Sequence, residues 1–98
     1  MFKPSLETFF RLEVYNMNTN IDPDLPSYSI GVAQKKTSLT ARQIRYYEQE
    51  GLVKPARSDG NQRLYSKNDI LELKQIKELM GQGLSLAGIK KLKKSNEN

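Results

Sequence analysis

The sequence contains no cysteine and no histidine among its 98 residues. Without thiols it can form no disulfide and use no thiolate, and without imidazole it lacks the usual ligands of zinc and copper. A catalytic triad that depends on histidine is excluded as well, and no cluster of carboxylates offers another site. We therefore expect a protein that is not an enzyme and that uses no cofactor.

Long apolar runs are also missing, and this absence bears on location. No stretch of the sequence is long or apolar enough to cross a bilayer. Residues 1–14 are interrupted by Glu7, Arg11 and Glu13, which is unlike a secretory signal. We therefore expect a cytoplasmic protein with no membrane partner.

Positive charge is present in excess but is unevenly placed. The net charge is +5, and the short length and mean hydropathy of −0.69 fit one small polar domain. Residues 1–27 carry two cations against four carboxylates, residues 28–65 carry seven against three, and residues 66–98 carry seven against four. All of the excess lies beyond residue 27, which slightly favours a polyanionic partner such as nucleic acid over a merely basic surface.

The N-terminal region is predicted to be separate from the rest of the chain. Residues 1–17 form an amphipathic helix with apolar side chains at helical spacing. These side chains are Leu6, Phe9, Phe10, Val14 and Met17. Residues 18–27 are rich in Asn, Asp and Pro and are predicted to be a linker. The apolar stripe either packs on its own domain or forms a dimer contact, and a third possibility is that the natural chain starts at Met17.

Two short helices joined by a tight turn are predicted from residue 28 onward. Residues 28–30 are extended, and residues 31–37 form the first helix. Its inward residues are Ile30, Val32 and Ala33. Thr40 caps the second helix, Gln43 completes a capping box three residues later, and Gly51 ends it. This arrangement is the helix-turn-helix pattern.

The second helix separates its side chains into two faces. Ile44 and Tyr47 point inward, and polar residues occupy the other face at spacings i, i+3, i+4 and i+7. These polar residues are Arg42, Arg45, Tyr46 and Gln49. Their groups match base edges and phosphates in a major groove ~12 Å wide, which admits one helix. A merely solvated face more often shows Glu/Lys pairs, so the pattern favours contact with DNA.

A β-hairpin is predicted next, with Asp59-Gly60 as a two-residue turn in which both residues have positive φ. The predicted pairs are Ser58 with Asn61, Arg57 with Gln62, Ala56 with Arg63 and Pro55 with Leu64. The inward residues are Val53, Pro55 and Leu64. Arg63 and Tyr65 then face outward, and Arg57 lies close to the tip. A hairpin with arginines at and behind its tip, directly after a helix-turn-helix, is interpreted as a wing.

Two further helices are predicted after the wing. Ser66 and Asp69 have capping-box spacing at the start of the first helix, and Gly81 and Gly83 end it. Its apolar stripe consists of Ile70, Leu73, Ile76, Leu79 and Met80. The last predicted helix begins within residues 84–92. Its inward residues are Leu86 and Ile89, with Leu92 as a further candidate. Residues 95–98 are expected to form a frayed tail.

The predicted fold class is mainly α, a winged helix-turn-helix with a short β-hairpin wing and two following helices. The domain is predicted to span residues 28–94. Residues 28–92 resemble the DNA-binding domain of the MerR family of bacterial transcription regulators. The matching residues are Thr40, Arg42, Ile44, Arg45-Tyr46-Tyr47-Glu48, Gly51-Leu52, Pro55, Arg57, Gly60-Asn61, Arg63 and Tyr65.

Within that family, the stretches ARQIRYYEQEGLVKPARSDGNQRLYS and QGLSLAGIKKL are most similar to the branch that contains the glutamine-synthetase repressor GlnR and its relative TnrA. Family members often carry Gly where this chain has Ser38. The resemblance implies a homodimer on an inverted repeat of double-stranded DNA, with the helix over residues 40–50 in the major groove and the wing on flanking backbone or minor groove. The implied function is a transcriptional regulator, a repressor in nitrogen or glutamine metabolism, located at the bacterial nucleoid.

The candidate DNA-contacting residues are Thr40, Arg42, Arg45, Tyr46, Gln49, Arg57, Asn61, Arg63 and Tyr65. Arg42, Arg45 and Gln49 are expected at bases, whereas Tyr46, Arg57 and Arg63 are expected mainly at phosphate or sugar. The resemblance also implies dimerisation through the N-terminal segment. The candidate dimer contacts are Leu6, Phe9, Phe10 and Val14.

Members of the family usually continue into a long coiled-coil helix and an effector domain, and the printed sequence stops before these parts. Glutamine synthetase and RNA polymerase are further partners that the resemblance suggests. Two alternative functions stay open. One is an excisionase-like architectural DNA-binding protein of a mobile element, and the other is a protein-interaction adaptor that uses the N-terminal helix.

Overall fold

The computed structural model describes residues 22–96. Along this part of the chain, four helices and one two-stranded antiparallel hairpin follow one another. The elements are α1 (Ile30–Thr37), α2 (Ala41–Gln49), β1 (Ala56–Arg57), β2 (Arg63–Leu64), α3 (Lys67–Gly81) and α4 (Leu86–Asn96). The predicted fold class, a mainly helical winged helix-turn-helix, is confirmed.

Helix α1 begins at Ile30, slightly earlier than predicted, because Ser29 caps it. The Ser29 hydroxyl accepts a hydrogen bond from the Val32 amide at 3.2 Å. At the other end, Ser38 has a φ of 61°, in the left-handed region. Glycine adopts this conformation without strain, so the glycine that the family resemblance leads us to expect at this turn would fit it.

Helix α2 has the boundaries that its local sequence predicts. The Gln43 amide donates to the Thr40 hydroxyl at 3.0 Å, and the Thr40 amide donates to Gln43 Oε1 at 2.9 Å. This is the predicted capping box. Gly51 follows the helix with a φ of 79°, as a helix C-terminus commonly requires. The inward residues Ile44 and Tyr47 are buried.

The hairpin forms, but the predicted register is wrong by one residue. Arg57 pairs with Arg63, and Ala56 pairs with Leu64. The cause is a longer turn, in which the Asn61 amide donates to the Ser58 carbonyl at 2.8 Å. Residues 59–61 therefore connect the strands, instead of residues 59–60.

The backbone conformation of the turn explains this length. Asn61, and neither Asp59 nor Gly60, has a positive φ, which is 65°. A turn followed by one left-handed residue is the common three-residue hairpin connection, and Asn tolerates that conformation better than most residues. The predicted two-residue turn instead assigns positive φ to Asp59 and Gly60, which precede Asn61 by two residues and one residue.

The register shift moves Tyr65 to the inside, because a slip of one residue exchanges the two faces of a strand. Tyr65 was predicted to face outward, and it is 0% exposed. Its amide donates to the Tyr28 carbonyl at 2.7 Å, and the Tyr28 amide donates to the Tyr65 carbonyl at 2.9 Å. The base of the wing is therefore fastened to the segment that precedes α1.

Helices α3 and α4 complete the core. Ser66 and Asp69 form the predicted capping box of α3, which ends at Gly81. Helix α4 continues through residues 95 and 96, which the sequence had assigned to the terminal tail. The core residues are Ala33, Leu39, Ile44, Tyr47, Leu52, Val53, Tyr65, Ile70, Leu73, Ile76 and Ile89.

Three apolar side chains predicted to face inward are exposed instead. Val32 is 38%, Met80 is 40% and Leu92 is 47% exposed. Val32 and Met80 each lie about 100° around their helix from a better placed neighbour, Ala33 or Leu79. Leu92 lies one turn beyond Ile89, which is the last core residue of α4.

Candidate nucleic-acid interface

The outward face of α2 is present as predicted. Its four polar residues, which we call the reading face, are Arg42, Arg45, Tyr46 and Gln49, and all are exposed. Tyr46 lies against Tyr47, with ring centroids 5.9 Å apart and planes inclined by 55°. Because Tyr47 is buried, this contact connects the reading face to the core.

Arg42 and Arg45 carry charge that the described structure does not use. Within residues 22–96, neither arginine belongs to an ion pair. Arg42 lies in the first turn of α2, where a cation opposes the helix dipole, and that turn contains no acidic residue. Two exposed arginines without an ion pair among the described residues, one of which also opposes the helix dipole, favour an anionic partner outside the chain.

Thr40 caps the start of α2, and Asn61 lies in the turn of the wing. Thr40 is exposed, but its hydroxyl is engaged with Gln43 in the capping box. Asn61 is exposed at the tip of the wing, and its carbonyl oxygen accepts a hydrogen bond from Arg57 at 3.0 Å. Both therefore hold local structure in place while remaining accessible.

The wing arginines meet a carboxylate of α2. Arg63 Nε donates to Glu48 Oε1 at 2.6 Å, and Arg57 Nη2 lies 3.7 Å from Glu48 Oε2. The side chains of Glu48, Arg57 and Arg63, which we call the Glu48 cluster, are 23%, 41% and 27% exposed. Unlike the reading face, the wing therefore presents arginines that are already ion-paired.

Tyr65 has to be removed from the candidate contacts. Because it is 0% exposed, its side chain cannot reach a bound nucleic acid. Burial, followed by the negative charge of Glu48, raises the pKa of the phenol. Among the described residues, the hydroxyl has no hydrogen-bond partner. Tyr65 is a core residue at the base of the wing.

Glu48 was not among the predicted contact residues, although its position in the sequence held a signal. Glu48 follows Arg45 by three residues and lies on the flank of α2 beside the reading face. A carboxylate so close to a predicted DNA-contacting surface would repel phosphates unless a cationic side chain pairs with it. Arg57 and Arg63 in the wing are the only nearby ones that are brought to it within residues 22–96.

Several lysines that contributed to the charge argument have structural partners. Lys36 lies over the Tyr28 ring, 5.2 Å from its centroid, and Lys77 Nζ donates to the Thr37 carbonyl at 3.2 Å. Lys90 pairs with Glu50 at 2.5 Å. The net charge therefore overstates the number of cationic side chains available to a polyanion. Arg42 and Arg45, which have no ion pair within residues 22–96, are the more informative residues.

Other predictions concern features outside this interface. The candidate dimer contacts Leu6, Phe9, Phe10 and Val14 lie outside the described residues. In the part that is described, no group of three acidic side chains could hold a metal ion. None of the helices of residues 22–96 has the length and apolar character needed to span a membrane.

Comparison with known proteins gives consistent matches. Residues 28–96 match the family described as MerR HTH family regulatory protein. The chain is 51% identical over 73 residues to the HTH-type transcriptional regulator GlnR of Bacillus anthracis, covering 74% of this chain and 57% of that protein. It is 41% identical over 63 residues to the regulator TnrA of Bacillus subtilis, covering 64% of this chain and 57% of the relative. The chain thus spans little more than half the length of these relatives.

Solved structures agree with the sequence matches. HiNmlR, a MerR family regulator lacking the sensor domain and bound to promoter DNA, superposes with a TM-score of 0.67 at 27% identity over 70% of this chain and 53% of that one. The regulator PbrR691 of Ralstonia metallidurans, in complex with lead(II), gives a TM-score of 0.66 at 34% identity over 71% of this chain and 56% of that one.

Proposed function

The chain belongs to the MerR family of helix-turn-helix regulatory proteins, and on this premise we propose that it regulates transcription by binding double-stranded DNA as a homodimer. Helix α2 enters the major groove, and the wing contacts the flanking backbone or minor groove. The observation that carries the proposal is the reading face, which presents two exposed arginines without an ion pair among residues 22–96, an amide and a phenol on a well-capped helix.

The roles of the contact residues follow from their chemistry and exposure. Arg42, Arg45 and Gln49 offer donor groups that match base edges, and they stand on a capped helix whose other face is buried in the core. Tyr46, Arg57 and Arg63 contact mainly phosphate or sugar, which positions the protein without specifying sequence. Thr40 lies at the start of the helix that carries Arg42, and Asn61 lies in the turn between Arg57 and Arg63, so both are assigned additional contacts with the DNA backbone.

The regulatory context is proposed from the relatives. The 51% identity to GlnR regulators supports a repressor of nitrogen or glutamine metabolism. A dimer of a helix-turn-helix protein binds two half-sites about one helical turn apart, so the operator is an inverted repeat. Leu6, Phe9, Phe10 and Val14 remain the proposed dimer contacts. Glutamine synthetase and RNA polymerase remain proposed partners of the regulator, which acts in the cytoplasm at the nucleoid.

We keep the predicted organisation as part of the proposal, with residues 1–17 as a dimerisation helix, 18–27 as a linker and 28–94 as the DNA-binding domain. The family match begins at residue 28, which supports this limit. The excisionase-like and adaptor alternatives are not adopted, because the matched relatives are named as transcription regulators. These names also agree with the expectation that the chain is not an enzyme.

Selection of bound duplexes from a random DNA library tests the proposal. We expect the full chain to enrich an inverted repeat, and we expect two chains per duplex when stoichiometry is measured on the selected sequence. Enrichment of a single half-site bound by one chain would contradict the dimer. Absence of any enriched sequence would contradict sequence-specific binding.

A further inference from the structure

The wing is a small hairpin whose position needs outside support. Its two strands contain two residue pairs, Ala56 with Leu64 and Arg57 with Arg63. An isolated hairpin of this size is marginal in water, so its orientation depends on contacts with the rest of the domain. The base is held by Tyr65, which is buried and paired with Tyr28.

Above that base, the polar side-chain contacts between the wing and α2 within residues 22–96 all involve Glu48. Its Oε1 accepts from Arg63 Nε at 2.6 Å, and its Oε2 lies 3.7 Å from Arg57 Nη2. Arg57 is additionally bonded to the carbonyl oxygen of Asn61 at the turn. One carboxylate on the flank of the reading face thus joins the wing arginines to the helix that carries Arg42 and Arg45.

The terminal amino groups of the Arg63 guanidinium remain available to a ligand. A guanidinium group has five N–H donors, and only the one on Nε is engaged with Glu48. The terminal amino groups make no other hydrogen bond among the described residues, and the side chain remains 27% exposed. A guanidinium fixed through Nε can present its two terminal groups to a phosphate without further ordering.

We propose that Glu48 is a positioning residue for DNA binding, which orients Arg63 and thereby sets the wing relative to the reading face. This inference rests on the proposed DNA-binding function. The two possible roles of Glu48 predict changes in DNA affinity of opposite sign. Glu48 is an anion near a polyanionic ligand, so on charge alone its removal should strengthen binding. Positioning predicts that its removal weakens binding to the operator.

The reason is the cost of ordering a long side chain. When Glu48 is absent, Arg63 has to be immobilised at the moment of binding, and the specific complex fixes where its phosphate lies. A complex with random DNA tolerates other placements of the arginine and also gains from the lost negative charge. Glu48 therefore raises the ratio of operator affinity to random-duplex affinity, rather than the affinity for DNA in general.

The test compares Glu48→Ala with the matched control Glu50→Ala in the full chain. Glu50 is the same residue type at the end of the same helix, but it pairs with Lys90 of α4 instead of the wing. We expect Glu48→Ala to lower operator affinity roughly twofold to tenfold, with no loss on a random duplex. We expect Glu50→Ala to leave operator affinity unchanged or slightly increased.

Two further variants connect the effect to Arg63. Glu48→Gln keeps an oxygen that can accept from Arg63 Nε, so it should recover most of the operator affinity. In an Arg63→Ala background, Glu48→Ala should no longer lower operator affinity, because its partner is gone. Thermal unfolding checks the fold, which we expect to persist because partly exposed ion pairs contribute little to stability.

The outcomes separate the inference from the proposed function. If Glu48→Ala strengthens binding to both duplexes as Glu50→Ala does, Glu48 only repels DNA and the inference is wrong. If Glu48→Ala weakens binding equally with and without Arg63, it does not act through that arginine and the inference is again wrong. If the wild-type chain binds no duplex at all, the proposed function fails, and the inference fails with it.

Discussion

The reading face and the wing both carry two arginines, but the structure holds these pairs in opposite ways. Arg42 and Arg45 stand on a capped helix whose other face is buried, and no carboxylate within residues 22–96 pairs with them. Arg57 and Arg63 stand on a two-pair hairpin and share Glu48. On the capped helix, the arginines have no ion pair among the described residues, whereas on the two-pair hairpin a carboxylate pairs with both arginines.

This difference suggests a division of labour. Arginines that make no ion pair among the described residues can form hydrogen bonds with base edges. The position of the helix in the groove then determines which bases they reach. Paired arginines on a short hairpin have fewer accessible orientations, and this suits the regular array of phosphates. The predictions below try to separate the two roles, from the largest expected effect to the smallest.

The reading face is tested by Arg42→Ala and Arg45→Ala. Each is expected to cost roughly 1–3 kcal/mol of binding free energy and to relax base preference where that arginine makes a bidentate base contact. Competition binding on the selected operator and on variants with single base changes measures both effects. An equal loss on the operator and on random DNA would instead assign that arginine to the backbone.

The wing is tested by Arg63→Ala. We expect weaker binding on all sequences, by factors that differ by no more than the roughly tenfold operator preference assigned to Glu48, and a salt dependence that is flatter by about one unit of slope. Affinity measured over a series of salt concentrations gives the slope for the variant and the wild type. A slope that stays the same would contradict a phosphate contact by Arg63.

The turn of the wing is tested through stability. Asn61→Ala should cost about 1 kcal/mol of unfolding free energy, because Ala is strained at positive φ, whereas Asn61→Gly should be almost neutral. Gly60→Ala is the matched control. Gly60 has no positive φ, and an added Cβ would lie 3.9 Å from the Ser58 hydroxyl oxygen. Urea unfolding that ranked Gly60→Ala as the more damaging change would favour the two-residue turn.

The smallest effect on binding is expected for Tyr65→Phe, since the side chain is buried and its hydroxyl has no partner among the described residues. Operator affinity should stay the same, and stability near neutral pH should be equal or higher, because an unpaired buried hydroxyl is unfavourable. A loss of affinity in a folded variant would restore Tyr65 to the contact set.

The same variant has an expected pH dependence. The pKa of Tyr65 is raised by burial, so the folded state favours the neutral phenol. The neutral phenol therefore stabilises the fold below the unfolded pKa of about 10, and this contribution is lost as pH rises through the higher folded pKa. Unfolding curves above pH about 10 should fall more steeply for the wild type than for Tyr65→Phe.

The helix-turn-helix was predictable because its signals are local. The capping box of Thr40 and Gln43 spans three residues, and the reading face follows from the helical period. These signals were strong enough to place both ends of α2 and to divide its side chains correctly. Exposed Val32 and Met80 show the limit of this approach, since periodicity gives a stripe but not its exact edges.

The wing was less predictable because distant residues decide its register. Tyr65 is drawn inward through its pairing with Tyr28, which lies far back in the sequence. The partner of Arg63 is Glu48, fifteen residues away and on another element. The dipeptide Asp59-Gly60 fits a two-residue turn locally, and only the burial of Tyr65 and the left-handed Asn61 favour the longer one.

The division of labour is tested most directly by the ratio of operator affinity to random-duplex affinity, measured for two double variants. For Arg42→Ala/Arg45→Ala we expect a collapse of this ratio, because the groups that distinguish bases are gone. For Arg57→Ala/Arg63→Ala we expect both affinities to fall, while the ratio falls by no more than the roughly twofold to tenfold expected for Glu48→Ala. If the wing variant lost the ratio and the reading-face variant kept it, the proposed roles of the two surfaces would be contradicted.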